Sequence, residues 1–236
     1  MGEIIAIANV KGGVGKSTMA AQLAGVMHDQ GRSVMVYDTD PHATLTSWAC
    51  GGPLAPLVVH EPLRSVKRIG EWVELVRHAR DNHDFVILDL PSAPNSAITT
   101  GLMVAQKLLM PIGPTPGDMH GSDQTMKLLH LAKRSRQGAP QLLLVPSRTD
   151  SRGRMSANMH QFAENLAEAM APAVAQRACF AESATKGMWV GRSKADLKAR
   201  EEIEAVIRSI ESLTDRAAMP DADLAAAIEP GAAVAQ

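Results

Sequence analysis

Short apolar runs alternate along the chain with longer stretches of helical spacing. Residues 4–8, 33–37, 85–88, 108–112 and 142–145 are nearly continuous in Val, Ile, Leu, Met or Ala. Such runs suit parallel strands covered on both faces; a half-exposed strand alternates apolar with polar. Between them, 17–30, 66–80, 96–105, 122–136, 156–170 and 195–213 carry apolar residues at helical intervals. Gly31 follows the first of these stretches, where a left-handed helix stop is expected. Alternating strand and helix predicts an α/β fold: a doubly wound, mostly parallel sheet with right-handed crossovers and helices on both faces. No internal repeat is present. Residues 214–236 are rich in Ala, Asp and Pro with weak periodicity. They are expected to form a flexible tail behind a domain spanning 1–213.

At 236 residues the chain is long enough for one large domain, and 45% hydrophobic with 21% charged residues is ordinary globular composition. Only 3% is aromatic, so the core must be aliphatic. No apolar run approaches the roughly 20 residues of a membrane span. Cys50 and Cys179 lie far apart in no paired motif, which excludes a disulfide scaffold or a four-cysteine zinc site and suits a reduced, cytoplasmic setting. The net charge of −1 hides an uneven distribution. Residues 186–200 carry five bases against Asp196, whereas from 201 onward there are eight acids and two bases. A local anion-binding surface is therefore compatible with a near-neutral whole.

The sharpest chemical signal is Lys11-Gly12-Gly13-Val14-Gly15-Lys16-Ser17-Thr18, between a predicted strand and a predicted helix. That context is what makes a phosphate loop credible. Glycines let backbone N–H groups turn toward an anion, and the helix N-terminus adds its dipole. Lys16 is placed to reach β- and γ-phosphates, and Ser17 to offer an oxygen to Mg²⁺. The loop departs from the common form: it lacks glycine at the first position and has a second lysine, Lys11, at its start.

This variant loop resembles that of the ParA/MinD family of ATPases, the deviant Walker A type, whose motif reads K-G-G-x-G-K-[ST]-[ST]. The resemblance continues in Asp38-Thr39-Asp40-Pro41 after the second strand, similar to the family's D-x-D-P. It extends to Asp89 at the end of the third strand, where the family has its Walker B aspartate. The 111–118 stretch resembles the proline-rich loop of small plasmid-partition ATPases. His42 stands where the family commonly has Gln. The resemblance implies a Mg²⁺-dependent ATPase that sandwiches ATP in a homodimer. Lys11 then reaches the partner's phosphates, Lys16 holds those of its own subunit, and Asp40 positions the attacking water. Ser17, Asp38 and Asp89 support the metal. ParA-like relatives bind nucleoid DNA without sequence preference when dimerised. A ParB-like or cargo-adaptor protein stimulates their slow hydrolysis, and the cargo is a plasmid, a chromosome region or a protein cluster or microcompartment.

Plainer readings stand beside these. Asp38 and Asp40 suit helix caps, and Lys11 suits a solvated surface. Pro114 and Asp118 flank the base, line a dimer contact, or form an ordinary turn. Pro146 and Ser147 follow another predicted strand and are expected near the base. Lys186, Arg192, Lys194, Lys198 and Arg200 form the candidate DNA surface, or a solvated face balanced by acids; Arg148, Arg152 and Arg154 are a second possible patch. Trp189 is expected to pack, since no other aromatic accompanies it. Three other functions compete. A MinD-like membrane-cycling regulator needs a basic amphipathic terminal helix, and this tail is acidic. An iron-protein-like metallocluster ATPase needs paired cysteines. A small-molecule kinase or ligase needs a substrate pocket.

Overall fold

A computed structural model describes residues 1–63, 65–93, 95–150, 157–166 and 168–213. The element order is β1 (Glu3–Ile7), α1 (Lys16–Asp29), β2 (Val34–Asp38), α2 (Thr44–Ala49), β3 (Val58–His60), α3 (Ile69–Asn82), β4 (Phe85–Asp89), α4 (Ser96–Val104), β5 (Lys107–Ile112), α5 (Pro116–His120), α6 (Asp123–Ser135), β6 (Gln141–Thr149), α7 (Ala157–Leu166), β7 (Ala169–Met170), β8 (Val174–Ala175), α8 (Ala178–Thr185) and α9 (Leu197–Ser212). The strands form one parallel sheet in the order β3-β2-β4-β1-β5-β6-β7, with β8 paired to the far end of β6.

Period-two alternation builds two cores from the same strands. Ile5, Ile7, Phe85, Ile87, Leu109, Leu143 and Val145 face α1, α2, α8 and α9. Their neighbours Ile4, Ala6, Val86, Leu88, Leu108, Met110, Leu142 and Leu144 face α3, α4, α6 and α7. Both faces are covered, so the strands read as continuous apolar runs. The helix after β1 lies on one face and the helix after β4 on the other. The carboxyl ends of these adjacent strands therefore border a switch point, where open α/β sheets place their ligands.

The helix α1 ends as expected. Gly31 adopts φ +82°, its N–H donates to the His28 carbonyl, and the Arg32 N–H reaches back to Met27 at 3.1 Å. Three predicted boundaries are corrected. The 156–170 helix stops at Leu166, because Ala169 and Met170 leave it to pair with Leu143 and Leu144 of β6. β6 itself runs on to Thr149, so Pro146 and Ser147 lie within the strand and not after it. Pro146 fits there because it falls between the β7 pairing at Leu143–Leu144 and the β8 pairing at Ser147, where no ladder donor is called for. Third, the 66–80 helix begins only at Ile69, preceded by a 3₁₀ turn over Val66–Arg68. The short elements α2, β3, α5, α8 and β8 were absent from the periodicity. Arg152, Arg154 and the 214–236 tail lie outside the described residues.

Trp189 packs as expected, 3% exposed against α1. A Cβ placed on Gly25 would meet its ring atoms at 2.1 Å, so the helix surrenders propensity at Gly25 for close approach. Gly25→Ala should thus destabilise the chain by about 1–3 kcal/mol despite the better helix former. Urea unfolding of the variant beside the wild type measures this.

Candidate nucleotide site

The loop between β1 and α1 is shaped by its glycines. Gly13 and Gly15 take φ +76° and +97°, and Gly15 leads into α1, which has neither a side-chain cap nor an acid in its first turn. The free N–H groups and the positive dipole end therefore face the loop. Gly12 has no positive φ, and a Cβ there would meet no protein atom nearer than Ser92 Oγ at 4.0 Å. Neither backbone nor packing explains its lack of a side chain, whereas close approach of a bound anion does.

Lys16 is 7% exposed, and its Nζ donates to Ser92 Oγ at 2.6 Å. Burial lowers its pKa, while the carboxylates of Asp89 and Asp40 act to raise it. Asp89 ends β4, is 1% exposed, and neither carboxylate oxygen has a hydrogen-bond partner among the described residues. Burial pushes it up to about 7; Asp38 and Asp40 add to the rise, and nearby Ser17 and Lys16 oppose it. An unpartnered buried carboxylate is costly, and a cation held with Ser17 would relieve it. Among the described residues no group of three or more His, Cys, Asp or Glu is placed to hold a metal alone. Mg²⁺ takes one or two protein ligands and completes its shell with phosphate and water, so Ser17 and Asp89 would be enough side chains to hold it.

The two acids after β2 divide. Both oxygens of buried Asp38 are engaged: Oδ1 accepts the Asp40 N–H, and Oδ2 accepts the N–H and hydroxyl of Thr46 at 2.8 and 2.9 Å. Asp38 thereby ties the first turn of α2 to the end of β2, as in the capping alternative. Asp40 is half-buried; it accepts the His42 N–H at 2.9 Å and acts on Lys16. Thr39 fastens the segment to β4 through the Asp89 carbonyl at 2.8 Å.

Lys11 stands apart from this group. It is exposed, and its aliphatic stem lies along Gly121, whose added Cβ would meet Lys11 Cδ at 3.0 Å. On the other side of the loop the Arg148 guanidinium donates to the Gly13 carbonyl at 2.6 Å, with Arg148 itself at φ +57°. A cavity of about 500 Å³ opens there, lined by Thr18, Gln22, Ser147, Arg148, Val174 and Phe180 among others. Its size and apolar walls suit a nucleoside. Ser147 thus reaches the cavity. Pro114 and Asp118 do not: Asp118 forms a capping box with Thr115 that starts α5 on the opposite face. Pro146 does not line it either, since successive strand residues point to opposite faces. A larger cavity, about 1040 Å³, lies at the amino ends of the strands. Lys107 pairs there with Glu3 at 2.7 Å, Arg136 donates to the Leu102 and Ala105 carbonyls, and the cavity lies remote from the phosphate loop.

Of the candidate DNA residues, Lys186, Arg192, Lys194 and Lys198 are exposed, Arg192 with its guanidinium 4.6 Å over the Trp189 ring. Arg200 is half-buried and held by acidic side chains. It bonds to Asp29 at 2.7 Å and Glu204 at 2.9 Å, and Asp29 also accepts the Trp189 indole N–H.

The family model described as CobQ/CobB/MinD/ParA nucleotide binding domain matches residues 5–219. The chain belongs to this family. It is 31% identical over 202 residues to the maintenance of carboxysome distribution protein A of Halothiobacillus neapolitanus, covering 81% of this chain and 91% of that protein. Apo McdA from Cyanothece superposes with a TM-score of 0.73 at 16% identity, over 89% of this chain and all (100%) of that one. A cobyrinic acid a,c-diamide synthase from Mycobacterium smegmatis, solved with ADP and magnesium, gives 0.67 at 20% identity over 93% and 99%. These structures share the fold, a mostly parallel eight-stranded sheet flanked by helices.

Sequence reasoning passed over Ser92, which holds Lys16, and Arg148 as a partner of the loop. Neither sits in a motif, and only folding brings them to it. Asp89→Asn should raise the stability of the nucleotide-free chain by about 1 kcal/mol, by removing a buried unpaired charge. The same change should weaken Mg²⁺-nucleotide binding; thermal unfolding with and without Mg²⁺-nucleotide reads both.

Proposed function

We propose that this chain is an ATPase that distributes a protein-shelled or nucleic-acid cargo through an ATP-bound homodimer attached to DNA. The observation that carries this reading is the contrast between the two loop lysines. Lys16 is buried toward Ser92, Asp89 and Asp40, whereas Lys11 is exposed on the α5–α6 side. One lysine serves the subunit's own phosphates, and the other is available to a second copy.

In this scheme the backbone from Gly12 to Thr18 cradles the phosphates, and the cavity beside Arg148 and Ser147 takes the base. Ser17 and Asp89 are the side chains that would hold Mg²⁺, which when bound neutralises charge on the terminal phosphates. Asp40 orients the attacking water. Lys16 and the second subunit's Lys11 balance the charge that spreads over the equatorial oxygens in a loose transition state. Lys186, Arg192, Lys194 and Lys198 would contact DNA phosphates, with the salt dependence such contacts bring. Similarity to a carboxysome-distribution protein supports a microcompartment as cargo and an adaptor protein on it as the stimulating partner.

Lys16→Ala should abolish nucleotide binding. Asp40→Ala should still dimerise with ATP yet lose hydrolysis by about a hundredfold or more. Light scattering and phosphate release together check this, and an Asp40→Ala chain that turns over normally would return Asp40 to a capping role. Replacing Arg192, Lys194 and Lys198 together by Ala should weaken DNA binding and flatten its salt slope by about three, leaving ATP affinity intact. Fluorescence anisotropy at several salt concentrations decides, and an unchanged slope would place the DNA surface elsewhere.

A further inference from the structure

The approach to Lys11 is fastened by a buried polar network that no motif contains. Asn9, Ser122 and Thr125 are each 0% exposed. The Asn9 amide donates to the Pro111 carbonyl and to Ser122 Oγ, both at 2.9 Å, and its Oδ1 accepts the Lys11 N–H at 2.9 Å. The Ser122 hydroxyl in turn donates a hydrogen bond to the Asp118 carbonyl at 3.0 Å. Thr125 Oγ1 accepts the Val10 N–H at 2.9 Å. Beside them Gly121 leaves the room along which Lys11 lies.

We propose that Asn9, Ser122 and Thr125 form a latch between the start of the loop and the α5–α6 corner, and that they are positioning residues for the Lys11 ammonium. Both backbone N–H groups at and before Lys11 are held by this network, and both clamping hydroxyls come from one corner of the fold. Among the described residues Lys11 has no polar anchor of its own comparable to the Lys16–Ser92 bond, so its direction is set through its backbone and the Gly121 surface. Fixing that backbone lowers the entropy lost when Lys11 engages a phosphate held elsewhere. A shift of the α5–α6 corner would also reach Lys11 directly. The role in dimerisation rests on the proposed function above.

Thr125→Val keeps the shape but strands the Val10 N–H, and Thr125→Ser restores the acceptor. Gly121→Ala adds a methyl against Lys11 at a right-handed helical backbone position that alanine tolerates. Thr125→Val and Gly121→Ala should each weaken ATP-dependent dimerisation about tenfold or more while monomer affinity for a fluorescent ATP analogue stays within about twofold; Thr125→Ser should behave as wild type. Amide exchange at Val10 and Lys11 should quicken about tenfold in Thr125→Val, which tests the latch without a dimer. If Thr125→Val fails to fold, Gly121→Ala decides through dimerisation. Dimer affinity within twofold of wild type in the folded variants, or unchanged exchange at both amides, would overturn the latch. A wild-type chain that stays monomeric with ATP would instead overturn the dimer reading, and exchange would then judge the latch alone.

Discussion

Two charges taken out of water, one at the start of α1 and one at the end of β4, set the terms for the rest of this molecule. Lys16 and Asp89 are both nearly fully buried; among the described residues one has a single hydroxyl partner and the other accepts no hydrogen bond. Desolvation shifts each toward its neutral form. A polyanion with a divalent cation would satisfy both, contributing oxygens to the lysine and a positive centre to the aspartate. The folded chain therefore keeps a local electrostatic deficit that a nucleotide with its metal is suited to relieve. Strain of this kind persists only where the surrounding structure is firm enough to hold it.

That firmness comes from the sheet. β1 and β4 run side by side in register, from Glu3 opposite Phe85 to Ile7 opposite Asp89. Apolar layers cover both faces, so neither strand end can retreat from its neighbour. Close packing between α1 and the Trp189 segment ties the helix that carries Lys16 to α9, and the Asp29–Trp189–Arg200 cluster closes that contact. The phosphate loop is thus mounted on rigid elements, as preorganised electrostatic stabilisation requires.

The two lysines of the loop belong to different mechanical systems. Lys16 moves with α1 and answers to Ser92, Asp89 and Asp40. Lys11 moves with the α5–α6 corner, through Asn9, Ser122, Thr125 and Gly121. Only four residues separate them in the chain, yet they face different neighbours. Under the proposed function, a loop divided in this way would hold its own phosphates on one side and leave its other end to a second copy.

The local pattern by itself determined the α/β class, the parallel sheet and the loop, because each depends on a short-range signal. Apolar runs report strands buried on both faces, and glycines between a strand and a helix report an anion cradle. The loop motif and the Asp89 strand end were legible for the same reason. Short elements such as α2 and α8 were not, since six and eight residues carry too little period to stand out. Nor could spacing distinguish Asp38, spent on Thr46, from Asp89, left unpartnered; both follow apolar strands. Arg200 looked like its basic neighbours until Asp29 arrived from 171 residues away. Ser92, Arg148 and the Asn9 latch came only with the tertiary structure, because their partners lie on other strands and helices. Whether a polar side chain is spent or available depends on what folding brings to it.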